Sequence, residues 1–286
     1  MKKFFLSLLF LFSTLVFAKI PERAVSTAHF TTEILLTIGA EEHMVGTAYL
    51  DNPILPKLKN KFEKIPVLSN KYPTKEKFYS VKPDFVTGWK SLEKPKNLGP
   101  REELEANGVR VHYLKSLEDE NIETLYMDIL ELGKIFGVEK NAQSFVEKMK
   151  EELKAIEAKI PRTKKKIFAY DSGEKQPFVI AGKGMGQFII ELAGGENITA
   201  YLPGSFGNST WEKIIIGNPE YIIIVDYGDD SYESKVKYLK ESSPIKNLKA
   251  VRKNRFIKVS LAGVSPGVRI VDEVKNVARA LHGIDL

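Results

Sequence analysis

The sequence predicts an α/β protein of two lobes joined by one long helix, and three observations carry that prediction. After residue 18, short apolar runs of strand character alternate with amphipathic stretches, the pattern of sheets covered by helices. Between 121 and 160 the alternation gives way to two successive helical stripes, and fresh strands begin after Pro161. The composition agrees: 286 residues, 43% hydrophobic and 28% charged, suffice for about two domains and exclude collagen, coiled coil and disorder.

Taken in order, Met1-Lys2-Lys3 followed by the apolar run from Phe4 to Phe17, with Val16 and Ala18 before a cleavage point, reads as an export signal over 1–18. The run is shorter than the roughly 20 apolar residues of a membrane span. Cleavage would release a protein free in the periplasm. The first lobe is expected over 19–138. There a helix starts near Thr31 or Thr32, capped by a hydroxyl, and stops at Gly39; strands follow at 45–49, 84–87 and 109–114, with a helix at 75–80. Leu125, Ile129, Leu132 and Phe136 form one stripe, Phe145, Met149, Leu153 and Ile156 a second, and Gly137 separates them. The second helix, within 139–160, is the expected connector. The second lobe, 161–286, repeats the alternation: strands at 166–170, 178–181, 221–225 and 255–259, and helices at 186–193, 210–216 and 268–281.

Several chemistries are excluded or disfavoured by composition. Zero Cys removes disulfides, thiolate catalysis, Cys-held metals and a lipidated N-terminal Cys. A formal net charge of +6 is mild, and Lys and Arg interleave with Asp and Glu, which reads as a solvated surface and points away from nucleic acid. The chain has no Gly-x-Ser-x-Gly elbow, no His-Glu-x-x-His and no phosphate loop. Gly182-Lys183-Gly184-Met185-Gly186 precedes a helix but lacks dinucleotide spacing. Four His residues, 29, 43, 112 and 282, contain no i, i+4 pair, so no resident metal is expected; without the motifs above no catalytic site is expected either, though the abundant carboxylates leave a glycosidase-like pair open.

Five segments carry a resemblance. Val81-Lys82-Pro83-Asp84-Phe85-Val86 and Gly217-Asn218-Pro219-Glu220-Tyr221-Ile222-Ile223-Ile224 each place Pro and an acid between a helix and an apolar strand. With Thr32 to Ala40, Glu191-Leu192-Ala193-Gly194-Gly195-Glu196-Asn197 and Val251 to Phe256, they resemble the periplasmic binding proteins of ABC importers for iron siderophores, haem and cobalamin, the class with a single-helix connector. The resemblance implies two Rossmann-like lobes, a rigid connecting helix and a ligand cleft between the lobes. It implies capture of an iron chelate, ferric siderophore first, with cobalamin or haem as alternatives in the same family. An exported enzyme or scaffold is the alternative of another class.

On carboxyl-end loops, where open α/β sheets bind ligands, the candidate cleft residues are His29, Tyr49, Trp89 and Lys90 in the first lobe and Tyr170, Phe206, Tyr227 and Arg269 in the second. Aromatics would cover the chelate and the two cations would neutralise it; each loop aromatic competes with ordinary packing. Arg269 follows Ser265-Pro266-Gly267 at a helix start, a setting that favours an anion. A haem reading would use Tyr49, Tyr227 or His29 as axial ligand. Glu76 and Glu212 fall in the first turns of corresponding helices, and the resemblance implies that this pair docks a monomeric protein onto the inner-membrane permease subunits. Helix N-termini favour carboxylates in any case.

Overall fold

The structure, a computed structural model, describes residues 19–119, 121–228 and 230–286. The expected export signal, 1–18, lies outside them. In the first lobe five strands, β1 (Ala24–Thr27), β2 (Met44–Ala48), β3 (Val67–Ser69), β4 (Phe85–Gly88) and β5 (Arg110–His112), form an all-parallel sheet in the order β3-β2-β1-β4-β5. Helices α1 (His29–Ile38), α2 (Lys59–Phe62), α3 (Lys75–Ser80), α4 (Arg101–Ala106) and α5 (Ile122–Ile135) accompany it. Strand order reverses about β1, so the switch point lies between β1 and β4, whose carboxyl ends lead into His29 and Trp89.

Helix α1 begins two to three residues earlier than the threonines predicted. Its N-cap is Ala28, with no side-chain cap. The hydroxyls of Thr31 and Thr32 instead donate back to the Ala28 carbonyl at 3.1 and 2.9 Å, and Thr32 meets Ser26 and Thr47 hydroxyls at 2.8 and 2.7 Å. A buried hydroxyl in a first turn is satisfied by the preceding carbonyl and by neighbouring strands, so it is unavailable as a cap.

One helix, α6 (Glu139–Glu157), carries the chain into the second lobe. There β6 (Lys165–Ser172), β7 (Phe178–Ile180), β8 (Gly195–Asn197), β9 (Phe206–Asn208), β10 (Tyr221–Asp226) and β11 (Phe256–Ser260) are ordered β11-β10-β6-β7-β9. β8 pairs with the first half of β6, in parallel, and β7 with the second, antiparallel. Helices α7 (Gly184–Leu192), α8 (Trp211–Gly217), α9 (Tyr232–Glu241), α10 (Lys249–Arg252), α11 (Leu261–Val264) and α12 (Ile270–His282) complete the lobe.

The paired Pro-acid signatures have a common physical basis. α3 and α8 both lead into a left-handed residue, Lys82 (φ 48°) and Asn218 (φ 43°), before the proline. The acid that follows accepts hydrogen bonds at the start of the neighbouring strand. Asp84 takes the Glu22 and Arg23 amides at 2.8 and 2.9 Å, and Glu220 takes the Lys166 amide at 3.4 Å. The motif thus ends a helix and seats a central strand in one step.

A single apolar cluster runs through both lobes. It joins Phe30, Ile34 and Leu35 of α1, Val146, Met149 and Leu153 of α6, and Ile189, Val274 and Val277 from the second lobe. Two further clusters fill the outer faces of the sheets. An interface this apolar opposes independent movement of the lobes.

Candidate ligand cleft

The carboxyl ends of the central strands face each other across the lobes. A cavity of about 180 Å³ opens there, lined by Trp89, Ser116 and Leu117 of the first lobe and Met185, Phe206 and Pro266 of the second. Beside it, a space of about 590 Å³ is bounded by Glu118, Asp119 and Asn121 on one side and Lys183, Gln187 and Glu191 on the other. The two adjoin along consecutive residues of the same segments, so they form one opening of the size that binds small molecules.

Trp89 owes its position to Gly88. A Cβ at Gly88, where φ is 155°, would lie 2.2 Å from Thr27 Oγ1, so only glycine lets β4 turn out beside β1. The Trp89 ring then packs edge-on against Phe30, 4.7 Å between centroids. Phe206 stacks on Phe178 at 5.8 Å. These two are the predicted aromatics that the structure brings together in the cavity.

Tyr49 follows β2 with φ at 58°, a rare conformation for an aromatic residue. Its ring lies 4.9 Å from Tyr72, under the Lys71 ammonium at 5.0 Å. Tyr227 follows β10 and donates from its hydroxyl to Asp171 Oδ2 at 3.0 Å, while the Lys235 ammonium sits 4.0 Å from its ring centre. Lys90 is half-exposed and ion-paired to Glu118 at the rim.

Three predicted residues take other places. Tyr170 is buried behind the β6 sheet with Phe168 and Trp211. The pleat sends consecutive side chains to opposite faces, so its neighbour Asp171 is the one that meets Tyr227. Arg269 and His29 are not free for a ligand. The Arg269 guanidinium donates to Glu33 at 2.7 and 2.6 Å and to the Pro53 carbonyl at 2.6 Å, and lies 2.9 Å from His29 Nε2. The anion that Arg269 recognises is the protein's own Glu33, from the opposite lobe. His29 Nδ1 accepts from the Asn52 amide at 3.4 Å and the protonated Nε2 faces Glu33 Oε1 at 3.3 Å, so both ring nitrogens are engaged and neither is left for a haem iron.

This clasp holds residues that the sequence reading missed. Burial would raise the Glu33 carboxyl, but hydrogen bonds and charge from Arg269 and His29 outweigh it and hold the group at about 2. Asn52 adds a second tie, donating to the Asp226 carbonyl at 3.0 Å and accepting from the Ala262 amide at 3.2 Å. The readable signal was a lone Glu inside the apolar helix His29–Ile38, four residues after a His and therefore on the same face.

Electrostatically the opening is not positive. Lys235 is bound to Asp230 and the Val225 carbonyl, and burial pushes its ammonium down despite the nearby carboxylates. Burial also pushes up the carboxyls of Asp51 and Asp171, against the opposing pull of nearby donors and cations. Among the described residues no group of His, Asp and Glu is arranged to hold a metal ion.

A cleft between two α/β lobes, tied by one helix and a buried ion pair, defines a two-lobed binding protein. The family described as periplasmic binding protein matches residues 25–260, and the chain belongs to it; it is a binding protein and not an enzyme. A relative named vitamin B12-binding protein, from Vibrio parahaemolyticus, is 31% identical over 230 residues, 78% of each chain. The crystal structure of a periplasmic binding protein from Veillonella parvula superposes with a TM-score of 0.87 at 34% identity, covering 94% of both chains. An ABC-type Fe3+-hydroxamate transport protein from Saccharomonospora viridis shares the fold, with a TM-score of 0.75 at 18% identity over 92% of this chain and 93% of its own. No helix among the described residues is long and apolar enough to cross a membrane.

Proposed function

We propose that the protein captures a bulky chelate with little net negative charge, a corrinoid of the vitamin B12 class, and delivers it to an ABC permease. The observation that carries this reading is the state of the cations. Arg269, Lys90 and Lys235 are each paired to a carboxylate of the protein itself, and Lys183, which has no ion pair among the described residues, is outnumbered at the opening by Glu118, Asp119 and Glu191. Among the ferric siderophores first expected, a catecholate carries several negative charges and would meet paired cations and like charge. Trp89 and Phe206 instead offer apolar faces to a rigid ring system. The relative named for vitamin B12 supports the same choice.

Delivery would use Glu76 and Glu212. Both are exposed near the start of a helix capped by threonine, Thr74 accepting from the Lys77 amide and Thr210 from the Lys213 amide. Residues 1–18 would direct export. Calorimetric titration with cyanocobalamin, haemin, a ferric hydroxamate and a ferric catecholate tests the ligand assignment. Tight binding of cyanocobalamin is expected; tight binding of the catecholate with none of the corrinoid would overturn it.

A further inference from the structure

Two basic runs far apart in sequence meet at one end of the second lobe. Lys164 precedes β6 and Lys165 and Lys166 open it, Lys165 paired to Glu220, and Arg252, Lys253 and Arg255 lead into β11, with β10 lying between these strands in parallel register. From 235 to 258 the chain holds nine Lys and Arg residues and a single carboxylate, Glu241, whereas its total formal charge is only +6; two of the nine, Lys235 and Lys258, are bound to Asp230 and Asp226 at the carboxyl end of β10. The rest of the molecule is therefore slightly acidic, and the interleaving of charge that the composition implied does not extend to this end. Lys237, Lys240, Lys246, Lys249, Arg252 and Lys253 are all exposed and make no ion pair among the described residues.

The placement has a direction. The carboxyl ends of β6 and β10 carry Asp171 and Asp226, and Asp226 and Ala262 touch Asn52 of the first lobe. The amino ends of the same strands lie on the order of 17 Å away, the length of a five-residue strand. At the cleft end Lys235 and Lys258 are bound to Asp230 and Asp226, whereas at the opposite end the exposed cations unpaired among the described residues outnumber Glu220, which binds Lys165, and Glu241. Within the basic segment a space of about 420 Å³ is bounded by Asn247, Lys249, Arg252 and Lys253, large enough for a phosphate headgroup. The large exposed apolar residues lie outside 235–258, so contact there is electrostatic and without insertion.

We infer that this end of the second lobe binds an anionic lipid surface through its phosphate headgroups, holding the protein between deliveries at a membrane with the cleft turned away from it, so that docking on the permease requires release from the lipid. The inference goes beyond the transport reading and does not depend on which chelate is bound. A headgroup plane fits better than an acidic peptide because the cations spread over α9, the 246–253 segment and the start of β6, forming a broad end and not a groove.

The test is sedimentation of the full protein with vesicles of phosphatidylcholine alone or with one-fifth phosphatidylglycerol. Binding is expected only to the anionic vesicles, and it should disappear at 0.5 M salt. Lys249→Glu, Arg252→Glu and Lys253→Glu together should weaken it on the order of 100-fold and leave chelate titration unchanged. Lys64→Glu, Lys94→Glu and Lys96→Glu, exposed positions of the first lobe, change the net charge equally and should weaken it far less. Equal loss in both triple variants, or equal binding to neutral vesicles, overturns the inference. Capture by poly-glutamate without vesicle binding also overturns it and assigns the surface to an acidic protein.

Discussion

Arg269, at the N-cap of α12, and Glu33, buried in α1, are 236 residues apart and form a two-bond ion pair that crosses from lobe to lobe. Its carboxylate also takes the Leu55 amide at 2.8 Å, so the pair fixes α1, the 52–55 loop and α12 together. Removing one partner strands a buried charge, and Arg269→Ala should destabilise the protein by about 3–5 kcal/mol. Glu33→Met with Arg269→Met removes both charges and should recover most of that loss. Urea unfolding of the three variants checks this.

The same pair sets an acid limit. Glu33 has a depressed folded value, about 2 against an ordinary 4.5, so its stabilisation is complete above 4.5 and is lost as pH falls through about 2. The span corresponds to about 3 kcal/mol, with little solvent screening because Glu33 is 1% exposed. Urea midpoints of the natural protein and of Glu33→Gln should therefore differ most at pH 5–7 and converge towards pH 2. A constant difference would assign the stabilisation to packing.

How much of this was legible depended on sequence distance. The Pro-acid signatures, the α5 and α6 stripes and the strands β2, β4, β6, β10 and β11 are local patterns and read directly; β1, the central strand of the first sheet, went unpredicted because its four residues are all buried and show no alternation. The short strands β3, β8 and β9 carry three residues each, too few for a period-two signal, and α9, with four lysines and glutamates exposed on its outer face, offered little apolar stripe. Site residues failed where a face or a partner decides. One step along β6 separates buried Tyr170 from Asp171, and Arg269 could be recognised as a cation but its long-range partner could not.

Ligand should change the lobe angle little. The apolar cluster is continuous through α1, α6 and α12, and Asn52 bonds to two segments of the opposite lobe. Closure by tens of degrees would have to break these ties as well as the Glu33 pair. Small-angle scattering with and without saturating chelate should give the same radius of gyration within error. A large compaction would show that α6 bends.

Docking onto the permease should depend on both Glu76 and Glu212. Each is the second residue of its helix, and both helices share the order Thr, any residue, Glu, Lys from the cap onward, Thr74 to Lys77 and Thr210 to Lys213. The local cap geometry thus presents one exposed carboxylate per lobe in matched settings. In the proposed docking, reversal to Lys would set like charge against the permease cations that receive each Glu, a penalty of several kcal/mol for an interfacial pair. Glu76→Lys with Glu212→Lys should therefore abolish chelate uptake by cells, and each single change should reduce it partly. Chelate affinity of the purified double variant should stay unchanged, because neither residue lines the cleft and exposed charges are screened beyond about 8 Å. Normal uptake by the double variant would leave the carboxylates as helix-terminal stabilisers alone and remove the docking role.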